Sequence, residues 1–328
     1  EYESGTISTE NTNKDIIVNN NNMTISGGTI SSTSTQNCYY SCTNFNMIVN
    51  NENATLNVTD GILNKNNSGA IIENSGNLNV TGGKFTGSVS IYAGKKEYLI
   101  STTTTGNTKI KGGIYEGNSV RVLLNNGTTD ISDTSITSNV YGMENTNGNL
   151  TLTNVSMTNI NLSAISNRDG TVTINSGTYI SNDKNGNANG TIENSGGTVN
   201  VISGSFSGSY YGVYQSNNGT INVGNTNDLD SEGNKLVSKE NPNIKGNTTG
   251  IYNSSGTLNF YDGIIKGSSS AISGNINDVE EGYAVVVGKE TIDSTEFETK
   301  YLDKLPVAKI KSTDKEYYNL KEAIDESN

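Results

Sequence analysis

Three groups of side chains in this sequence have types and spacings that could do chemistry. The first is Asp228-Leu-Asp230-Ser-Glu232-Gly233-Asn234, which opens like a calcium loop, with oxygen ligands at alternate positions and glycine at the turn. A bidentate Glu should close such a loop, but that position holds Lys239, and Glu240 comes one residue late. The stretch therefore reads first as a solvated loop and second as a calcium site built from Asp228, Asp230 and Glu232. The second group is the tyrosines Tyr210, Tyr211, Tyr214, Tyr252 and Tyr261, whose rings join an apolar body to a polar tip and suit stacking on a neutral sugar or a partner protein. Their bland alternative is a cross-strand ladder that only stabilises a sheet. The third is a set of scattered acids, Glu73, Glu144, Glu193, Asp130 and Asp133, and the only two arginines, Arg121 and Arg168. A glycosidase needs two carboxylates about 5–10 Å apart on one face. No pair of these acids falls in adjacent repeats of one column, and neither arginine has an evident acidic cluster at its level, so we assign no catalytic residue.

Other chemistry is excluded by composition. There is no His and no Trp, which removes His-based nucleophile triads, His-ligated metals and imidazole acid–base catalysis. The net charge of −12 repels a phosphate backbone, so nucleic acid is not an expected partner, and it also disfavours anionic sugars. Cys38 and Cys42, in Cys-Tyr-Tyr-Ser-Cys, lack the paired motifs of a zinc site and read as incidental thiols or a small local disulfide. No apolar run approaches the roughly 18 residues of a membrane span, so no membrane insertion is expected. The opening Glu1-Tyr2-Glu3-Ser4 is not a leader, and we expect a mature chain or a segment of a longer one.

The elements that must position these groups come from an internal repeat. Its central apolar residue recurs at Ile25, Val58, Val80, Ile110, Ile131, Leu152, Ile174, Val201, Val223 and Phe260, with shortest steps of 21 or 22 residues. A second column follows five residues later: Ile30, Leu63, Phe85, Tyr115, Ile136, Met157, Tyr179, Phe206 and Ile265, with Ile244 filling the one break. A third precedes the markers as apolar-x-Asn and ends on Asn50, Asn74, Asn125, Asn145, Asn167, Asn194 and Asn253, with Gln215 in the same place. Three short strands per repeat cannot bury their apolar side chains alone, but stacked as coils they form one continuous core. We therefore expect an all-β, right-handed parallel β-helix of about ten coils over residues 1–278, with the Asn column stacked as a structural ladder. Gly28, Gly61, Gly83, Gly113, Gly177, Gly204 and Gly263 fall where corners need positive φ. Insertions at 31–46, 93–107, 181–190 and 225–243 are the expected carriers of specificity. Residues 279–328 lose the pattern and read as a cap or linker, with strand character at Ala284–Val287 and helical spacing at Leu320, Ala323 and Ile324.

The Gly-Thr-(Val/Ile/Leu)-x-Val-x-Gly-Gly phrases and the Tyr214 and Tyr252 rungs resemble the pectate-lyase-like β-helix modules of large surface proteins from clostridia and related Gram-positive bacteria. The tail from Pro306-Val-Ala-Lys-Ile310 to Tyr317-Tyr318-Asn-Leu320-Lys-Glu-Ala323-Ile324 is similar to the segment that opens a following module. The resemblance implies an extracellular, secreted or cell-surface protein of many modules, with other modules of the same chain as neighbours. Our expectation is a non-enzymatic stalk or adhesin that binds a host or environmental glycan or surface protein through Tyr214, Tyr252, Tyr211 and Tyr261, without a cofactor unless calcium is held. The alternative is a polysaccharide lyase or glycoside hydrolase on the same scaffold, and a third possibility is a spacer with no ligand.

Overall fold

A computed structural model describes residues 1–10, 14–33, 45–66, 69–88, 98–118, 120–138, 142–182, 189–225, 227, 229–231, 233, 235–311, 314–318 and 320–327. Cys38 and Cys42 lie outside the described residues.

The chain is a parallel β-helix with three strand-bearing faces. On the first face the marker column pairs in unbroken register, from Ile25↔Val58 and Val58↔Val80 to Val201↔Val223 and Val223↔Phe260. The second face carries the column five residues on, including Phe85↔Tyr115 and Tyr179↔Phe206. Strand Asn243–Gly246 fills the break in that column, pairing Ile244 with Phe206 below and Ile265 above. The third face is an eleven-stranded sheet running from Ile17–Asn19 to Ser270–Ser273. All three columns point inward and form one core. Aromatics stack within the second column, Phe85 on Tyr115 and Tyr179 on Phe206, each with ring centroids 5.0 Å apart. At the corner between the first and second faces, Gly28 (φ 73°) and Gly83 (φ 86°) take the left-handed conformation that β-carbon-bearing residues resist.

The Asn column is a hydrogen-bonded ladder inside the third face. Each amide Nδ2 donates to the next Oδ1: Asn19 to Asn50 and Asn50 to Asn74 at 2.7 Å, Asn125 to Asn145 and Asn145 to Asn167 at 2.8 Å, and Asn167 to Asn194 at 2.9 Å. The ladder departs from the sequence expectation at two rungs. Thr102 stands where a further Asn belongs, and the hydroxyls of Thr102, Thr108 and Thr129 carry the connection between Asn74 and Asn125. At the upper end Gln215 accepts from Asn194 at 3.3 Å and its Nε2 donates to the carbonyls of Gly219 and Thr257, while the buried Oδ1 of Asn253 has no partner. The column thus ends at Gln215, and Asn253 is a packed terminus, not a rung.

Asn167 sits mid-ladder, accepting from Asn145 and donating to Asn194 Oδ1 and the Gly196 carbonyl. Asn167→Leu keeps the volume but strips buried polar neighbours of partners, so it should cost about 1–3 kcal/mol. Chemical denaturation reads this directly, and an unchanged midpoint would remove the ladder from the forces that hold the coils.

The coils end in a cap. Strands Tyr283–Ile292 and Thr295–Lys304 form an antiparallel hairpin, and the second of them pairs antiparallel with Ile264–Gly267. The expected strand at Ala284–Val287 lies within the first arm. The hairpin covers an edge that would otherwise expose unpaired backbone groups, and it buries Phe297 and Leu302 against the last coil. A small unit follows, of strands Ala308–Ile310 and Lys315–Tyr317 and helix Leu320–Ser327.

Candidate functional site

Within each apolar-x-Asn triplet of the third face, the side chain between two inward neighbours points outward, because strand side chains alternate. Register places Glu144, Ser166, Glu193, Tyr214, Tyr252 and Ser273 in one outward column over successive coils. This column, with the side chains that lean over it, gathers the chain's two arginines and five of its tyrosines.

At its lower end lies an ion cluster that sequence spacing had not brought together. Glu144 is 2% exposed. Arg121, one coil below, brings Nε to 3.2 Å from Glu144 Oε2, and Arg168, one coil above, brings Nε to 2.5 Å from Oε1. The Tyr98 hydroxyl donates to Oε2 at 3.1 Å, and the Arg121 guanidinium lies 5.9 Å from the Tyr98 ring centroid. Burial, reinforced by the Glu144 charge, holds the Tyr98 phenol well above its ordinary pKa. Burial works against the charge on Arg168, yet its hydrogen bond to Glu144, with the charges of Glu144 and Glu193, carries its pKa above the usual value. Arg121 is mostly buried and Arg168 half exposed. Glu193 accepts from Ser163 Oγ at 3.3 Å. Two cations and two anions make this end of the strip neutral within a chain of net charge −12.

Above Glu193 the tyrosines converge. Tyr214 and Tyr252 are adjacent in register, as expected, with ring centroids 5.7 Å apart and planes within 4°. Tyr211 stacks on Tyr252 at 5.0 Å and on Tyr214 at 5.7 Å, and Tyr210 meets Tyr211 edge-on at 4.6 Å. These rings spend much of their face area on one another, so the patch shows its surroundings mainly ring edges and hydroxyls. That is the geometry of an aromatic ladder. Tyr261 does not join it: it follows strand Gly256–Phe260 on the first face, donates to Asp278 at 3.0 Å, and borders a shallow groove of about 290 Å³ with Asn200, Asn222 and Asn225.

The 225–243 insertion lies away from the tyrosines of the third face. It leaves after Gly219–Val223 on the first face and returns as Asn243–Gly246 on the second, so it occupies the corner between those faces and cannot wall the tyrosines of the third. Asp228 and Glu232 lie outside the described residues, and among the described residues no group of three acids, His or Cys is placed to hold a metal. The loop carries its own cation. Lys235 Nζ donates to the Asn225 carbonyl and lies 3.7 Å from Glu280, while the Tyr283 hydroxyl donates to the Lys235 carbonyl at 3.1 Å. Asp230 accepts, through its carbonyl, the amide of Gly233. The insertion is thereby tied to the C-terminal cap.

The sequence matches no protein-family model, no curated protein and no solved structure. The site therefore stands on its own geometry. Sequence reasoning missed the Tyr98–Arg121–Glu144–Arg168 cluster, although one signal was available: aligning the third column by repeat sets the two arginines one coil either side of Glu144.

Proposed function

We propose that this chain is a rigid, non-enzymatic module of a secreted or cell-surface protein, acting as a stalk that presents the third-face strip to a neutral glycan or a protein partner. One observation carries this reading. In a chain dominated by Asn, Gly, Ser and Thr, both arginines and five tyrosines gather at one face, and Arg and Tyr are among the residues most enriched where binding energy concentrates. The Arg168 guanidinium is anchored through Nε to Glu144, and Tyr214 and Tyr252 stand two and three coils above it on the same face. The local neutrality of the strip favours an uncharged ligand. A hydrolytic reading would need a carboxyl group free to donate a proton, and Glu144 is instead shared between two guanidiniums and the Tyr98 hydroxyl.

The experiment is a glycan array together with an activity screen on plant, host and bacterial polysaccharides. The expected result is binding without cleavage, lost in a Tyr214→Ala/Tyr252→Ala/Arg168→Ala variant that keeps its fold. Cleavage of any polysaccharide would sink the non-enzymatic reading. Binding that survives the triple substitution would move the contact face elsewhere.

A further inference from the structure

The tyrosine ladder has a second chemical property that does not depend on ligand binding. With Trp and His absent, the readily oxidised side chains are the phenols, the methionines and the thiols Cys38 and Cys42. Three of the four methionines, Met47, Met143 and Met157, are at most 1% exposed. Tyr115 and Tyr179 are equally buried and stack on phenylalanines, so among the described residues ring contacts between tyrosines occur only at Tyr210, Tyr211, Tyr214 and Tyr252. Tyr214 and Tyr252 are half buried, with Tyr210 similarly accessible at the margin. Four rings within 4.6–5.7 Å of a neighbour let an unpaired electron pass among phenols until two radicals meet. The rings belong to adjacent coils, yet Tyr252 is separated in sequence from the other three by the whole 225–243 insertion.

We propose that this cluster is an oxidative cross-linking site, at which a haem peroxidase with hydrogen peroxide joins Tyr252 to Tyr211 or Tyr214 as dityrosine. Each of the two phenols loses its hydroxyl hydrogen as a proton and an electron, and together these reduce one hydrogen peroxide to two waters. The two radicals couple through carbons ortho to oxygen, forming one C–C bond. Each ortho hydrogen then moves to the phenolic oxygen and restores the aromatic ring. The product ties two coils covalently and closes a loop around the insertion, which restricts the unfolded chain as a disulfide does.

The test uses the whole chain, with cysteines alkylated, treated with peroxidase and hydrogen peroxide at low protein concentration. The monomer is then isolated, read by dityrosine fluorescence and digested with trypsin. Cleavage after Lys184, Lys235, Lys245 and Lys266 isolates Tyr210, Tyr211 and Tyr214 on peptide 185–235 and Tyr252 with Tyr261 on peptide 246–266. The expected result is a species joining these two peptides, accompanied by a higher melting temperature. It should vanish in Tyr252→Phe, which keeps the stacked ring but not the phenol, and persist in Tyr261→Phe. Dityrosine confined to dimers, mapped to other peptides or retained in Tyr252→Phe would overturn the assignment, as would a monomer with no cross-link.

Discussion

A Phe206→Ala variant is expected to lose about 3–5 kcal/mol of stability and to melt roughly 5–10 °C below the parent chain. Phe206 is 1% exposed, stacks face to face on Tyr179 with planes 2° apart, and supports Ile244 on the coil above. Truncation removes the ring's transfer energy and opens a cavity that the rigid strand pair cannot close, because both neighbouring coils are fixed by their own hydrogen bonds. The site also guards the re-entry of the chain after the 225–243 insertion, where Asn243–Gly246 is held on the Phe206 strand. Ser207→Ala, one residue along and pointing outward, should stay within about 0.5 kcal/mol of the parent. Equal melting of the two variants would sink the inward assignment of the second column.

Glu144→Ala should produce the second large loss, about 3 kcal/mol, because it removes the carboxylate that two guanidiniums share and leaves the Tyr98 hydroxyl without its acceptor. This lies at the lower end of the range for breaking a buried ion pair, since Arg168 is half exposed and solvent screens it. Glu144→Gln, which keeps acceptor capacity but not charge, should fall between parent and Ala. Arg168→Ala alone should cost less than about 1 kcal/mol, because the mostly buried Arg121 still neutralises the carboxylate. Denaturant midpoints for the three variants decide the matter: a Glu144→Ala chain as stable as the parent would mean that the cluster is incidental to the fold.

The fold was legible because a solenoid writes its register into sequence spacing. Every pairing of the marker column, and the Ile244 strand that repairs the second, can be read by aligning repeats. The adjacency of Tyr214 and Tyr252 was legible for the same reason. The tilt of their rings was not, since it depends on how four bulky side chains share space above the sheet. The Glu144 cluster escaped because Arg121 begins a strand and Arg168 sits at a turn, outside the alternating pattern, and their long side chains cross coil boundaries to meet one carboxylate. The placement of the 225–243 insertion was recoverable from its flanking strands but was obscured by nearness in sequence to Tyr214 and Tyr252. The failed rung at Asn253 coincides with the one place where Gln215 stands for an asparagine in the coil below.

In a parallel β-helix the hydrogen bonds between coils, and here the amide column too, lie along the long axis. A pull applied between the two ends therefore loads the coil interfaces in series, opening each a few bonds at a time instead of shearing a whole strand at once. Links in series yield at the weakest. Between Asn74 and Asn125 the inner column runs through three threonine hydroxyls, each with a single proton to give, where other rungs have a two-proton amide. Under tension the rod is thus a chain of near-equal springs with a built-in yield point about a third of the way along, and the coils above and below it keep their shape after it opens.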